Sequence, residues 1–325
     1  MARLFIEGFE LGNLNAWTVG SMGVSSSPPA GFSGAYYGNG GFTTYASLDI
    51  PTQTEIYMAM KYSWHTNSNG GLFSFKDSGG TNILSGRVDV TTGLLSIRLG
   101  NQAASQIAIS TTGFLPIYTM RLVEVHYIPL NSGGVVQVKL DGVQEINFSG
   151  DSTAGLENIE TFRIGSNGVD NRGYFDDIVL DDADWIGNTK IQKLQISGAG
   201  TTSEWDASAG NPEDCIDEIP HSDTDYVSTN VADESITCAC ADMTGDVVSV
   251  KCLQLHGRMA YEGAPTPTKQ KLAIRVNGSE YYGDDESPAL TFGNFSKIWS
   301  LNPNDAAAWE EADINAIEIG VRSVT

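Results

Sequence analysis

The sequence is poor in positive charge and in long apolar runs. Its 325 residues include 18 lysines and arginines against 40 aspartates and glutamates, a formal net charge of −22. This excess repels phosphate backbones and anionic lipid, so it argues against nucleic-acid and membrane partners. No run reaches the roughly 18 apolar residues that a membrane-spanning helix needs. The opening MARLFIE meets an acid before any apolar stretch of signal-peptide length, which predicts a protein made without an export signal.

Cysteine and histidine are also scarce, with four of each. The cysteines are Cys215, Cys238, Cys240 and Cys252, and a chain of this length without a signal is not expected to use four as a disulfide framework. The close pair Cys238 and Cys240 suggests zinc, but no second close pair completes a finger, so buried unpaired thiols are favoured. No Ser-His-Asp or Cys-His order stands out, and this set predicts no catalytic nucleophile.

Glycine and short alternating segments are abundant instead. The chain has 36 glycines, and 41% of its residues are hydrophobic while 18% are charged, which is typical of a folded chain of short strands and tight turns. Residues 135–140, VVQVKL, alternate apolar and polar side chains and so place one strand face on a core. Asp141-Gly142 then precedes another apolar segment, which predicts a hairpin. Because no long stripe of 3.6-residue period is present, we predict an all-β fold and exclude parallel α/β folds.

An acidic, turn-rich segment at 181–188 divides the chain into two predicted domains, 1–186 and 187–325. For the second domain we predict a smaller β-sandwich, with residues 198–230 as a long ordered loop. A short helix is predicted over Ala306–Glu311. Its predicted strands are Lys190–Ile196, Ser235–Ala239, Val247–Ala260, Gln270–Val276 and Asn315–Val321.

Three motifs follow one another through the first domain. They are FIEGFELG at 5–12, VEVHY at 123–127 with VQVKLDG at 136–142, and FRIGS at 162–166 with GYFDDIVL at 173–180. In this order they resemble the concanavalin A-like, or laminin G-like, jelly rolls. The resemblance implies two packed antiparallel sheets with the first and last strands adjacent. In this family the concave sheet or its rim loops often bind sugars, and some members are glycosidases.

The opening FELG and the closing YFDDIVLDD resemble, more narrowly, the form of this fold found in tailed-phage virion proteins. The second domain, with SEW at 203–205, DTDYVS at 223–228 and NAIEIGV at 315–321, is similar to a domain that recurs in phage structural proteins. The resemblance implies a structural component of a tailed-phage particle, such as a tail fibre or appendage. A capsid decoration protein and a free carbohydrate-binding lectin are the alternatives.

This resemblance also implies partners and a location. The second domain would serve attachment or oligomerisation, so the expected partners are other virion proteins and further copies of this chain. Host surface glycans are the third expected partner. The protein would be assembled in the host cytoplasm and reside in the virion.

Two segments combine aromatic side chains with amides, as sugar-binding loops do. A ring face stacks on a pyranose while amides bind its hydroxyl groups. The alternative interpretation is that these aromatics close one end of the sandwich. The candidate sugar-binding residues are Tyr36, Tyr37, Asn39, Trp64, Asn67 and Asn69.

Acidic residues around the last strand of the first domain offer hard oxygen ligands for calcium. The candidates are Asp170, Asp176 and Asp181. A solvated acidic turn is the favoured interpretation, and no EF-hand spacing is present. The sequence therefore predicts no required cofactor, with calcium as the alternative.

A retaining glycosidase needs two carboxyl groups about 5 Å apart. Glucanases of this fold carry them on one strand as E-x-D-x-x-E, and the first domain has no such segment. The adjacent Asp176 and Asp177 point to opposite faces of a strand. We therefore predict a protein that is not an enzyme, with a glycan hydrolase of unfamiliar geometry as the alternative.

Overall fold

The computed structural model describes residues 3–32, 34–41, 43–65, 69–114, 117–153, 155–166, 173–263 and 267–325. The chain divides into two compact units, Met1–Gln192 and Lys193–Thr325. This boundary lies after Gln192, whereas the sequence placed it after residue 186. Ile186 and Ile191 explain the difference, because both pack with Leu122 and Val179 of the first unit.

The first unit is built from short strands. They are β1 (Arg3–Glu7), β2 (Val19–Gly20), β3 (Gly23–Ser26), β4 (Tyr36–Asn39), β5 (Tyr45–Gln53), β6 (Ile56–Trp64), β7 (Gly70–Lys76), β8 (Asn82–Val88), β9 (Leu94–Leu99), β10 (Gln106–Gly113), β11 (Met120–Ile128), β12 (Gly134–Leu140), β13 (Val143–Gly150), β14 (Ile159–Gly165) and β15 (Gly173–Asp181).

These strands form two antiparallel sheets. The first sheet has the order β13-β12-β11-β6-β15-β4-β3, with β1 paired to β15, and the second has the order β10-β9-β8-β7-β14-β5-β2. Strands distant in sequence are neighbours, as in a jelly roll, where the chain crosses between two packed sheets. The predicted antiparallel jelly-roll sandwich is confirmed.

Alternation along the strands decides which side chains form the core. Val136, Val138 and Leu140 of β12 are buried, and the residues between them are partly exposed. The core is rich in aromatic rings, with the Phe75 ring 5.4 Å from Tyr127 and 5.7 Å from Phe162. The alternate residues of the first sheet lie on its other side, which we call the outer face.

The second unit has one larger sheet and two strand pairs. The sheet order is β16-β19-β24-β21-β22, and β17 pairs with β18 and β20 with β23. Its elements are β16 (Ile196–Ser203), β17 (Asp206–Ala207), a 3₁₀ turn (Pro212–Cys215), β18 (Val227–Ser228), β19 (Ser235–Cys240), β20 (Leu253–Met259), β21 (Lys269–Val276), β22 (Ser279–Tyr282), β23 (Gly293–Trp299), α1 (Glu311–Asn315) and β24 (Glu318–Val324).

A shared core joins these pieces into a sandwich. Leu255 and Met259 of β20 and Trp299 of β23 pack with Leu272 and Ile274 of β21. The predicted second, smaller β-sandwich is therefore confirmed. Among the described residues, no helix is both long enough and apolar enough to cross a bilayer.

Several predictions for the second unit are wrong. The predicted strand Lys190–Ile196 is not a strand before Ile196, where β16 begins, and the predicted strand Val247–Ala260 begins only at Leu253, as β20. Part of the predicted loop 198–230 is strand β16, which pairs with β19 through its backbone although its sequence, ISGAGTTS, has almost no apolar residues. The predicted helix Ala306–Glu311 is also misplaced. Ala306 has φ +61°, which a right-handed helix cannot accommodate, and the helix begins instead at Glu311 behind a capping box of Glu310 and Asp313.

All four cysteines are free thiols. Cys238 and Cys240 lie on β19 and are buried, and burial raises the pKa of both thiols to about 12. A thiol of such high pKa is a poor nucleophile and a poor metal ligand at neutral pH.

Candidate functional site

A row of aromatic rings crosses one end of the outer face. We call it the aromatic row, and its members are Phe32, Tyr37, Tyr174, His65 and Tyr118. Successive ring centroids are separated by 6.2, 4.9, 4.1 and 5.7 Å.

Sheet order brings these distant residues together. Tyr174 on β15 lies opposite Ser63 on β6 and Asn39 on β4, so all three share the outer face. Its neighbour Phe175 points into the core. The backbone N–H of Tyr118 donates to the carbonyl oxygen of Trp64 at 2.8 Å, which fixes the segment before β11 beside the end of β6.

Three of the rings form a stack. His65 lies between Tyr174 and Tyr118, with interplanar angles of 23° and 15°. Tyr37 contacts the Tyr174 ring at 79°, edge to face. Tyr118 is 64% exposed, so the stack ends on a ring that solvent and ligands reach.

The phenol group of Tyr174 is held protonated. Burial, together with the nearby phenols of Tyr37 and Tyr118, raises the pKa of Tyr174. A protonated phenol both donates and accepts hydrogen bonds. The row therefore combines an accessible ring with hydroxyl groups suited to polar ligands.

The rest of the outer face is covered by the chain itself. The Lys139 ammonium lies 3.6 Å from the centre of the Trp185 ring, and Trp185 also contacts Tyr57 and His126. Further along, the N–H of Gly187 donates to Glu124 at 2.8 Å. Segment 185–191 thus occupies the end of the face opposite the aromatic row.

Between the two ends lies a small cavity of about 230 Å³, bordered by Lys61, Leu122 and Glu124. The Lys61 ammonium is 2.5 Å from the Asp177 carboxylate, and both side chains are almost wholly buried. This pair neutralises the charge in the middle of the outer face.

The predicted sugar-binding residues occupy different places. Tyr37 belongs to the aromatic row, and Asn39 lies on the same face opposite Tyr174. Tyr36 packs partly against the core. Asn69 accepts a hydrogen bond from the backbone N–H of Val90, and Asn67 lies outside the described residues.

The prediction that Trp64 belongs to a sugar-binding surface is wrong. Trp64 is 1% exposed and belongs to the core cluster, so its ring cannot stack on a ligand from solvent. The following residue, His65, lies in the row instead. A shift of one residue along a strand moves a side chain to the other face.

The predicted calcium ligands are held by protein groups. Asp176 accepts the N–H of Asp177 at 2.8 Å, and Asp181 accepts the N–H of Ala183 at 2.9 Å while pairing with Arg3 at 3.4 Å. Asp170 lies outside the described residues. Across the described ranges, no group of three or more His, Cys, Asp or Glu residues is placed to hold a metal ion. These contacts do not favour calcium at Asp176 and Asp181.

Sequence reasoning missed four of the five members of the aromatic row, Phe32, His65, Tyr118 and Tyr174. Tyr174 could have been found, because it alternates with the apolar Phe175 in a recognisable strand. Nothing in the sequence around Tyr118 indicates a place in the row, because a backbone hydrogen bond between distant segments brings it beside His65.

Comparison with known proteins gives similarity of fold. No protein-family model and no curated protein matches the chain. Among solved structures, it is similar to the carbohydrate-binding module CBM66 from Bacillus subtilis, with 13% identity over 52% of this chain and 97% of that one and a TM-score of 0.37. It is also similar to the endo-β-1,4-glucuronan lyase from Trichoderma reesei, with 14% identity over 56% and 96% and a TM-score of 0.38.

The alginate lyase Aly36B is a third similar structure, with 12% identity over 51% of this chain and 82% of that one and a TM-score of 0.32. Two of these three proteins are lyases, which corrects the prediction that the chain is not an enzyme. At such low identities the similarities assign no role to any residue of this chain.

Proposed function

We propose that the first unit binds a glycan at the aromatic row. The observation that carries this proposal is the stack of Tyr174, His65 and Tyr118, which ends on a ring 64% exposed at the uncovered end of the outer face. A sugar ring would lie against Tyr118, because aromatic faces pack on the C–H groups of a pyranose. The Tyr37 and Tyr174 phenols and the Asn39 amide would bind hydroxyl groups beside it.

The negative charge of the protein indicates which class of glycan the first unit would bind. The chain carries a net charge of −22, and Lys61, on the same face, is already paired with Asp177. An anionic polysaccharide would be repelled over long range. We therefore expect an uncharged glycan.

The test is a glycan array with the full-length protein, followed by calorimetric titration of the best ligand. Tyr118→Ala and Tyr174→Ala should each weaken binding about tenfold or more, equivalent to roughly 1.4 kcal/mol. Tyr282→Ala, which removes an exposed tyrosine of the second unit, is the matched control and should bind like the wild type. An array without any bound glycan, or row variants that bind normally, would contradict the proposal.

For the biological setting, we propose that the chain is a structural component of a tailed-phage virion. The support is the sequence resemblance of both units, and the expected sites are a tail fibre or appendage or the head surface. Other virion proteins and copies of the same chain would be its partners. Mass spectrometry of purified virions with copy counting tests this, and absence from particles would favour a free lectin.

A further inference from the structure

The second unit contains a cavity of about 500 Å³ that the glycan proposal does not use. It lies between the larger sheet, strand β20 and the segment 215–230. Its apolar lining includes Trp205, Leu255, Met259, Leu272, Phe292 and Val321. Pockets of about 300–1,000 Å³ with walls of this kind are typical of small-molecule sites.

One apolar residue of the cavity lining faces water. Leu290 is 73% exposed. Near the same cavity, the Tyr226 ring lies 6.1 Å from the Phe292 ring. A ligand with an apolar body would cover this surface and gain the free energy of removing it from water.

Two carboxyl groups line the same cavity. Glu218 and Asp225 share a hydrogen bond, and burial is the main cause that raises the pKa of Glu218. The pKa of Asp225 is lowered, first by a hydrogen bond from the Cys215 thiol and then by one from Glu218. Asp225 therefore loses its proton at a lower pH than Glu218, and the pair carries negative charge at pH 7.

The nearby basic groups do not cancel this charge. Burial lowers the pKa of His256 to about 4 and also lowers that of His221, so both imidazoles are neutral at pH 7. Arg258 is engaged by both carboxylate oxygens of Asp223. The cavity interior is left with an excess of negative charge.

One polar atom of the cavity lining points to a missing ligand. Nδ1 of His221, which lines the cavity, is buried and has no hydrogen-bond partner among the described residues. Buried polar atoms are nearly always hydrogen-bonded, so an unsatisfied nitrogen at a cavity calls for a ligand or water.

We propose that this cavity binds a small organic cation, an amine with a compact aromatic or branched apolar body. The ammonium lies at Glu218 and Asp225, in the cavity whose lining also includes the unpaired imidazole nitrogen of His221. The apolar body packs against Trp205 and Phe292. The proposal is independent of glycan binding by the first unit.

The experiment compares three probes of nearly equal size by calorimetric titration of the full chain at pH 7. The probes are phenethylamine, 2-phenylethanol and 3-phenylpropionate, which are cationic, neutral and anionic. We expect saturable binding of the amine, at least tenfold weaker binding of the alcohol and none of the carboxylate. Equal affinities for amine and alcohol, or no amine binding at millimolar concentrations, would overturn the proposal.

Isosteric variants locate the site. Glu218→Gln and Asp225→Asn should each weaken amine binding at least fivefold and leave alcohol binding unchanged. Glu310→Gln, outside the cavity, is the matched control. Circular dichroism and a thermal melt confirm the fold of each variant, and wild-type amine affinity in both folded cavity variants would also overturn the proposal.

Discussion

Each unit holds a titratable side chain, withdrawn from water, in its uncharged form, and the two side chains respond to pH in opposite directions. Glu7 on β1 is fully buried, and burial raises its pKa to about 8. His256 on β20 is half-buried in the cavity of the second unit, and removal from water lowers its pKa to about 4. Removal from water disfavours the charged form in both cases. The comparison teaches that one physical cause gives the two units opposite pH responses.

The largest expected effect concerns Glu7. Between pH 4.5 and about 8, the native state keeps a proton that the unfolded chain has released. The contribution of Glu7 to the free energy of unfolding of the first unit therefore falls as pH rises through this range, by ~5 kcal/mol. Glu7→Gln should remove this fall. Hydrogen-exchange mass spectrometry, which follows each unit separately, measures it, and identical pH profiles for variant and wild type would contradict the assignment.

The next effect concerns the charged pair Lys61–Asp177. The two side chains are 9% and 1% exposed, so Lys61→Met leaves a buried carboxylate without its cation. We expect a loss of about 3–5 kcal/mol in the free energy of unfolding of the first unit. Lys297→Met is the matched control in the second unit, because its partner Asp284 is 79% exposed. Urea unfolding should show a large shift for the first variant and almost none for the second. Equal shifts would show that burial is not the deciding factor.

His256 should give the opposite pH response in the second unit. Between about pH 4 and 6.5 the unfolded chain binds a proton that the native imidazole does not. Its contribution to stability is therefore complete above pH 6.5 and is lost as pH falls toward 4, by ~3 kcal/mol. His256→Asn should flatten the profile of this unit alone. If the stability of the second unit instead fell with rising pH, as the Glu7 profile of the first unit does, the predicted opposite pH responses would be contradicted.

The smallest effect compares two hairpin turns. Asp141-Gly142 and Asn277-Gly278 both have left-handed backbone at both residues, with φ of +52° and +81° in the first and +50° and +81° in the second. Alanine at Asn277 should cost about 1 kcal/mol for the left-handed backbone. Asp141→Ala should cost more, since its carboxylate also accepts the N–H of Leu122 and pairs with Arg121. Thermal melts of both variants check the order, and equal losses would contradict the added role of Asp141.

The sequence predicted the fold correctly where the local residue pattern of a segment agrees with the position that the segment takes in the structure. The alternation of VVQVKL and the turn at Asp141-Gly142 predict β12, β13 and their hairpin, as the structure has them. Strand β16 was missed because its pairing uses backbone groups, which its small polar side chains do not reveal. The helix was misplaced because the left-handed conformation of Ala306 is not visible in an alanine-rich segment.

The candidate site was harder to predict than the fold. The aromatic segment was found, but the choice between Trp64 and His65 depends on which face each residue takes, and one residue reverses it. The meeting of His65, Tyr118 and Tyr174 depends on β15 lying beside β6, a neighbour relation between strands more than a hundred residues apart. Neither the composition of the sequence nor the spacing of its motifs indicates that β15 lies beside β6.

The pairing of the first and last strands of the first unit has a mechanical consequence. Arg3 lies opposite Asp181 in antiparallel register, so the start of β1 and the end of β15 lie side by side. Tension applied between these two residues loads the hydrogen bonds of this strand pair one after another, as in a zipper, and not all together in shear. Under pulling force, β1 should peel away first, at low force, while the two-sheet core behind it stays intact.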